Sequence, residues 1–261
     1  MTDIRWLLPN PTPDWALFLD VDGTLLDIAS VPTAVVVPDG LLETLPQVAH
    51  LLANAVALVS GRTLDDLDRL FPPLRLAKAG QHGAEITWPD GRTEYFGAGD
   101  QDLDDLLAHV RRFAQARPGL LVEDNGRTIA VHCRQAPHYQ GEITGFLADL
   151  VAERRAGLDV VAGRMVTELK PRGVSKRTAV ERLMAGAPFR GRTPIFIGDD
   201  TTDEDGFAAS HEWGGHGIRV GLSGDSIAEY RLPDARAVRR FLADIIRRLN
   251  LIEGRGDDAN P

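Results

Sequence analysis

"WALFLDVDGTLLD", residues 15–27, begins with five consecutive apolar side chains, then sets Asp20 and Asp22 on either side of Val21 before a Gly-Thr turn. An unbroken apolar run of this length is the pattern of a strand buried on both faces, as in parallel sheets. The expectation is a strand over 15–20 that ends at Asp20. Taken alone, an aspartate after a strand serves as often to form a turn as to do chemistry.

The same texture recurs down the chain. "AVALVSGR" is a second buried strand ending at Ser60, and "TPIFIGDD" a third, ending at Asp199 and Asp200. "GIRVG" is a further short strand. Leu41, Leu42, Leu45, Val48, Ala49 and Leu52 recur at helical spacing, as do Val180, Leu183 and Met184 and later Val238, Phe241, Leu242, Ile245 and Ile246. Thr63 and Asp66 fit a capping box. "LAKAGQHGAEITWPDGRTEYF" reads as strands joined by a Pro-Asp-Gly turn. Near residue 100 the pattern changes to helix, hairpin, helix, hairpin. The helices are marked by Leu103 to Phe113 and Ile143 to Val151, and the hairpins by Asn125-Gly126 and Gly163. The predicted architecture is α/β, a Rossmann-like parallel-sheet core with an inserted smaller α+β cap. The core takes residues 1–99 and 172–250, the cap 100–171, and residues 251–261 form a disordered tail.

Composition narrows the function classes. The formal net charge of −9 argues against a nucleic-acid partner, which basic patches would bind. No apolar run approaches the ~18 residues of a membrane span, and residues 1–14 lack the features of a secretory signal and read as a lead-in arm. The single cysteine, Cys133, excludes an internal disulfide and fits a reducing cytoplasm.

In parallel α/β sheets, chemistry gathers at the carboxyl ends of the strands. Those ends carry Asp20, Ser60 and the cluster "GDDTTDED", with Asp199, Asp200 and Asp203. If the ends are adjacent, several carboxylates converge. Two unit charges ~4 Å apart repel by roughly 4 kcal/mol at an effective dielectric near 20. A divalent cation relieves that repulsion, and an all-oxygen set with few side chains favours Mg²⁺. A strand-end carboxylate such as Asp20 can attack phosphorus, while Asp22, in the turn, can protonate a leaving alcohol and then activate water. Ser60 is either a donor to a phosphoryl group or a simple turn serine. Lys176 stands in the first turn of a helix starting near Ser175, where the macrodipole disfavours cations. It marks either a bound anion or a solvated surface position.

"DVDGT", "SGR", "SK" and "GDDTTDED" together, in this order, resemble the four motifs of haloacid-dehalogenase-type phosphatases. With "AGQHGAEI" and "ELKPRGVSK" added, roughly residues 15–245 are similar to the trehalose-6-phosphate phosphatase family. The resemblance implies that Asp20 is the nucleophile and Asp22 the acid/base. It places Mg²⁺ on the Asp20 side chain, the Asp22 carbonyl and Asp199, supported by Asp200 or Asp203. Ser60, with Gly61 and Arg62, and Lys176 grip the phosphate. Glu123, Arg134 and Glu168 match sugar-binding positions, and a trehalose-phosphate synthase in the same pathway is the implied partner.

Strand alternation supports the sugar-binding face independently. A two-residue turn at Asn125-Gly126 would pair Glu123 with Thr128. Glu123, Thr128, His132 and Arg134 then share one face, and Val122, Ile129, Val131 and Cys133 the other. The polar face either looks down on the core or is simply solvated. The family commonly has Glu-x-Lys at this hairpin, where the chain has Asn125, which puts the identity of the sugar in question. Other sugar phosphates (glucosylglycerol phosphate, sucrose phosphate, a mannosyl phosphoglycerate), a silent sugar-phosphate sensor and a phosphosugar mutase are the alternatives. His82, also matched by the family, is expected to be structural, and Cys133 to be core.

Overall fold

β1, Trp15–Leu19, lies between two parallel neighbours, and its pairing determines what meets at its end. On one side Leu17, Phe18 and Leu19 pair with Val56, Ala57 and Leu58 of β2, Val56–Val59. On the other side Leu19 pairs with Ile197 of β10, Thr193–Gly198. The computed structural model describes residues 12–29, 35–72, 74–97, 103–154, 157–163 and 165–257.

Among the described residues, the main sheet has eight strands in the order β12-β11-β10-β1-β2-β3-β4-β5. β3 is Ala77–Gly80, β11 His216–Val220 and β12 Tyr230–Leu232, and all six strands from β12 to β3 run parallel. β4, Glu85–Thr87, and β5, Thr93–Tyr95, close one edge antiparallel around the expected Pro-Asp-Gly turn.

Both faces of the sheet are covered, which is why β1 is apolar throughout. Leu17 and Leu19 join a core with α1, Leu41–Leu51, α2, Leu64–Leu70, and α7, Ala235–Asp257. Ala16 and Phe18 turn to the other face, against α5, Lys176–Met184, and against Phe207 and Ala209. α6, Asp203–Glu212, and β12 are not foreseen above. The acidic first turn of α6, Asp203 to Asp205, is the start signal that the helix offered, since carboxylates favour a helix N-terminus.

The residues between α3, Leu103–Gln115, and β9, Val166–Pro171, form a second layer pair. β6, Leu121–Asp124, β7, Ile129–His132, and β8, Leu158–Gly163, join β9 in an antiparallel sheet of order β6-β7-β9-β8. One face of that sheet packs on α3 and α4, Gln140–Arg154, through Ile129, Val131, Leu169 and fully buried Cys133. This is the inserted α+β cap.

Three expectations are corrected or left aside. The cap hairpin pairs Glu123 with Ala130, not Thr128, and Asn125 donates its N–H to the Thr128 carbonyl, so Gly126 and Arg127 form the turn. Gly126 takes φ +75°, and Asp124 Oδ1 accepts its N–H, which moves the bend one residue on. The register shifts by two, so the faces keep their members. Residues 251–257, expected to belong to a disordered tail, are helical instead. α7 continues to Asp257, beyond buried Leu249 and exposed Leu251 and Ile252, because each residue added to an existing helix gains a backbone bond. Residues 1–11, the Pro32 turn, the core-to-cap boundary near residue 100 and residues 258–261 lie outside the described residues.

Candidate active site

Because Leu19 stands beside Ile197 and Leu58, the next residues of the three strands project together into one crevice. Asp20 donates its N–H to the Ile197 carbonyl, and Ser60 donates its own to Ala79 at the neighbouring strand end. β1 is the point where the connections part, one to β2 and one to β10, and such a switch point leaves an open crevice above the strand ends.

Asp20, Asp199 and Asp203 bring carboxylate oxygens within 4.8 Å of one another. Asp203 is fully buried and Asp20 almost so. Gly23 and Gly198 make the approach possible. A Cβ on Gly23 would lie 2.2 Å from Asp199 Oδ2, and one on Gly198 2.2 Å from Asp203 Cγ. Asp203 Oδ2 also accepts the Asp200 N–H at 2.8 Å. Asp200 lines the same crevice without joining this group of three, and its Oδ1 accepts the Thr201 N–H. Of the two residues proposed to support a metal, Asp203 therefore sits with Asp20 and Asp199.

Lys176 is the counterion. It occupies the first position of α5 behind Ser175, whose side chain caps the helix in a reciprocal box with Thr178. Its Nζ donates to Asp20 Oδ1 at 2.7 Å and Asp203 Oδ1 at 2.5 Å, and it is buried. Burial opposes its charge, but the two carboxylates outweigh burial and push its pKa up. Burial, with Asp203 and Asp199 nearby, holds the Asp20 carboxyl well above the ordinary range against the pull of Lys176. Burial and the Asp203 charge push Asp199 up to about 7.

These residues fit a hard divalent cation. Three carboxylates against one ammonium leave two negative charges without an internal partner in the cluster. Asp199 Oδ1 is buried without a hydrogen-bond partner among the described residues. Oxygen donors with no His or Cys among them suit Mg²⁺-type coordination, not zinc.

Asp22 has a different neighbour. Arg62 grips it through two bonds, Nε to Oδ2 at 2.6 Å and NH2 to Oδ1 at 2.7 Å. Such a fork fixes orientation as well as charge. Ser60 is buried and accepts the Arg62 N–H on its Oγ at 3.1 Å. The Ser60–Arg62 loop thus reaches both the strand-end cluster and the second aspartate, a pairing that lies forty positions apart in sequence and that no local signal announced.

The cap closes the crevice from above. A cavity of about 310 Å³ is lined by Asp20, Asp22, Ser60, Gly61, Arg62, Lys176 and Asp199 below and by Glu123, Asn125, His132, Arg134 and Glu168 above. Glu123, Ala130 and Glu168 stand in one row across β6, β7 and β9, so the small Ala130 leaves space between two carboxylates. His132 bonds Glu123 at 2.8 Å, and Arg134 donates to the Ala29 carbonyl of the core. His82 forms the structural turn expected of it, and its Nε2 also meets Glu168 Oε2 at 2.5 Å on the cavity wall.

A buried strand-end aspartate, a second aspartate two residues on, a helix-borne lysine and a third acidic strand end stand on a parallel sheet with an inserted cap, the fold of a haloacid dehalogenase-like hydrolase from B. subtilis that superposes with a TM-score of 0.63, covering 88% of this chain and 99% of that one at 17% identity. Comparison with known proteins resolves the class further. The trehalose-phosphatase family profile matches residues 18–234. A probable trehalose-phosphate phosphatase of Sinorhizobium fredii is 42% identical over 244 residues, 92% of this chain and 91% of the relative. The trehalose-6-phosphate phosphatase of Escherichia coli is 38% identical over 232 residues, 89% of this chain and 86% of the relative. In fold, the C-terminal domain of a C. albicans trehalose-6-phosphate phosphatase superposes with a TM-score of 0.83, covering 94% of this chain and 97% of that one at 21% identity. The chain belongs to the trehalose-phosphatase family. Among the described residues, no helix is long and apolar enough to cross a membrane.

Proposed function

We propose that the chain hydrolyses trehalose 6-phosphate to trehalose and inorganic phosphate, with Mg²⁺, through an aspartyl-phosphate on Asp20. The observation that carries this is the single cavity in which a buried, lysine-held Asp20 faces a cap wall rich in hydroxyl-binding groups. Asp20, Asp199 and Asp203 would hold the cation, which supplies positive charge for the phosphoryl oxygens.

Lys176 engages Asp20 Oδ1, leaving Oδ2 for attack on phosphorus. The bond from phosphorus to the sugar oxygen breaks, and Asp22, aimed by Arg62, gives that oxygen its proton. Asp22 then takes a proton from water as the water attacks the phosphorus of the aspartyl-phosphate. Phosphate leaves and the Asp20 carboxylate is restored. Ser60 and Lys176 meet the non-bridging oxygens, and Glu123, Arg134 and Glu168 meet sugar hydroxyls.

Asn125 on the cavity wall favours keeping a second reading, a related sugar phosphate as the preferred substrate. A panel of sugar phosphates, with and without Mg²⁺, tests both, and the highest kcat/KM is expected for trehalose 6-phosphate with the metal present. Asp20→Asn should abolish phosphate release while the protein stays folded. Undiminished turnover in that variant rules Asp20 out as nucleophile.

A further inference from the structure

His82 sits where core and cap meet, and the chain goes to some length to put it there. Gln81 and His82 are consecutive left-handed residues, φ +47° and +59°, in a turn between β3 and β4. Non-glycine side chains rarely adopt that conformation, and in sequence it persists only where surrounding bonds hold it. Here the Gln81 N–H donates to the Arg62 carbonyl and the His82 N–H to the Ser60 carbonyl, each at 2.8 Å. The turn is therefore fastened to both ends of the Ser60–Arg62 loop. Gly61, between them, clears the imidazole's path: a Cβ there would lie 2.9 Å from His82 Nε2.

The imidazole reaches from that turn to the cap. Its Nε2 lies 2.5 Å from Glu168 Oε2, and both side chains are largely buried. A carboxylate only accepts, so Nε2 carries the hydrogen. Burial alone would raise the Glu168 pKa, but His82, His132 and Lys170 outweigh it and hold the group below the ordinary range, as an anion. Glu168 belongs to β9, which pairs with both β7 and β8, and it stands in one row with Ala130 and Glu123. Fixing Glu168 fixes one of the two carboxylates of the cap's polar wall, across Ala130 from Glu123.

We propose that His82 is a positioning residue that ties the cap carboxylate Glu168 to the Ser60–Arg62 loop, so that the sugar-facing wall and the phosphate-gripping loop are set together. The proposal rests on the sugar-phosphate activity put forward above. Its signature is selective: the loss falls on esters whose alcohol reaches the cap, more than on a small aryl phosphate that does not.

The test uses the full chain, trehalose 6-phosphate and p-nitrophenyl phosphate. His82→Asn keeps a side chain suited to the left-handed backbone, but its amide is too short to reach Glu168. His82→Gln is longer and restores a donor near the Nε2 position. Loss of a hydrogen bond to a charged group predicts a fall of about tenfold or more in the ratio of kcat/KM values, disaccharide phosphate over aryl phosphate, for His82→Asn. The fall is expected mainly in KM, with partial recovery in His82→Gln. An unchanged ratio, or proportional loss on both esters, overturns the proposal, the latter by reducing His82 to a scaffold for the loop. If the wild-type enzyme prefers another sugar phosphate, the substrate assignment fails, and the His82 ratio is then measured on that ester and decided independently.

Discussion

Replacing Lys176 with Met separates the electrostatic account of the site from a purely steric one. The ammonium is buried and bridges Asp20 at 2.7 Å and Asp203 at 2.5 Å. At an effective dielectric near 20, a pair at 2.7 Å attracts by roughly 6 kcal/mol. Removing the lysine also removes the cost of burying its charge, several kcal/mol, so the net loss is about 3–5 kcal/mol, the usual penalty for stranding one side of a buried pair. For a chain of this size each kcal/mol moves Tm by about 2–4 °C, so Tm should drop by about 6–20 °C. The assay is thermal unfolding of wild type and Lys176→Met, each in chelator and in saturating Mg²⁺. Much of the deficit should return with the metal, because a divalent cation leaves only one of the three carboxylates uncompensated in the variant. Activity should fall about 10²–10³-fold or more even where stability is recovered, since a donor to the transferring group is gone. A variant that melts within 2 °C or so of wild type in chelator refutes the view that Lys176 holds a strained acidic cluster.

Chelation of the wild-type protein should lower Tm and stop turnover, and added Mg²⁺ should restore both, read by the same melting assay and by phosphate release. Gly23→Ala should weaken Mg²⁺ binding at least about tenfold by titration calorimetry. Its Cβ would meet the Asp199 carboxylate at 2.2 Å, and its φ of +84° costs an L-residue roughly 1–2 kcal/mol. Glu168 gives a pH signature. Its folded pKa lies below the ordinary 4.5, so the unfolded chain binds its proton first as pH falls. Its contribution to stability is complete above about pH 4.5 and lost as pH falls through the folded value. The Tm difference between wild type and Glu168→Gln should therefore be larger at pH 7 than in acid. A gap that grows on acidification contradicts the sign.

Much of this molecule was legible in its sequence because the signals are local. Five apolar residues running into Asp20 could only be a doubly covered strand, and three more strands ended in the same manner. Helical spacing marked α1, α3, α4, α5 and α7, and the Asn-Gly and Gly163 bends marked the cap hairpins. α6 went unforeseen since its acidic run reads equally well as a ligand cluster, and β12 is three residues of an edge with no periodicity to detect. Both faces of the cap hairpin survived an error in its turn, because a shift of two residues leaves strand parity intact.

The sequence by itself determined which groups are available: carboxylates at strand ends, a lysine opening a helix, a polar stripe on a cap strand. Only the tertiary structure decided their company. That Asp203 and not Asp200 joins Asp20 and Asp199, that Arg62 takes Asp22, and that His82 crosses to Glu168 all depend on parallel register and on glycines that let side chains approach across it. Such pairings join residues tens of positions apart, and the physical reason they escape a linear reading is that distance along the chain carries no record of which strand ends the sheet will set side by side.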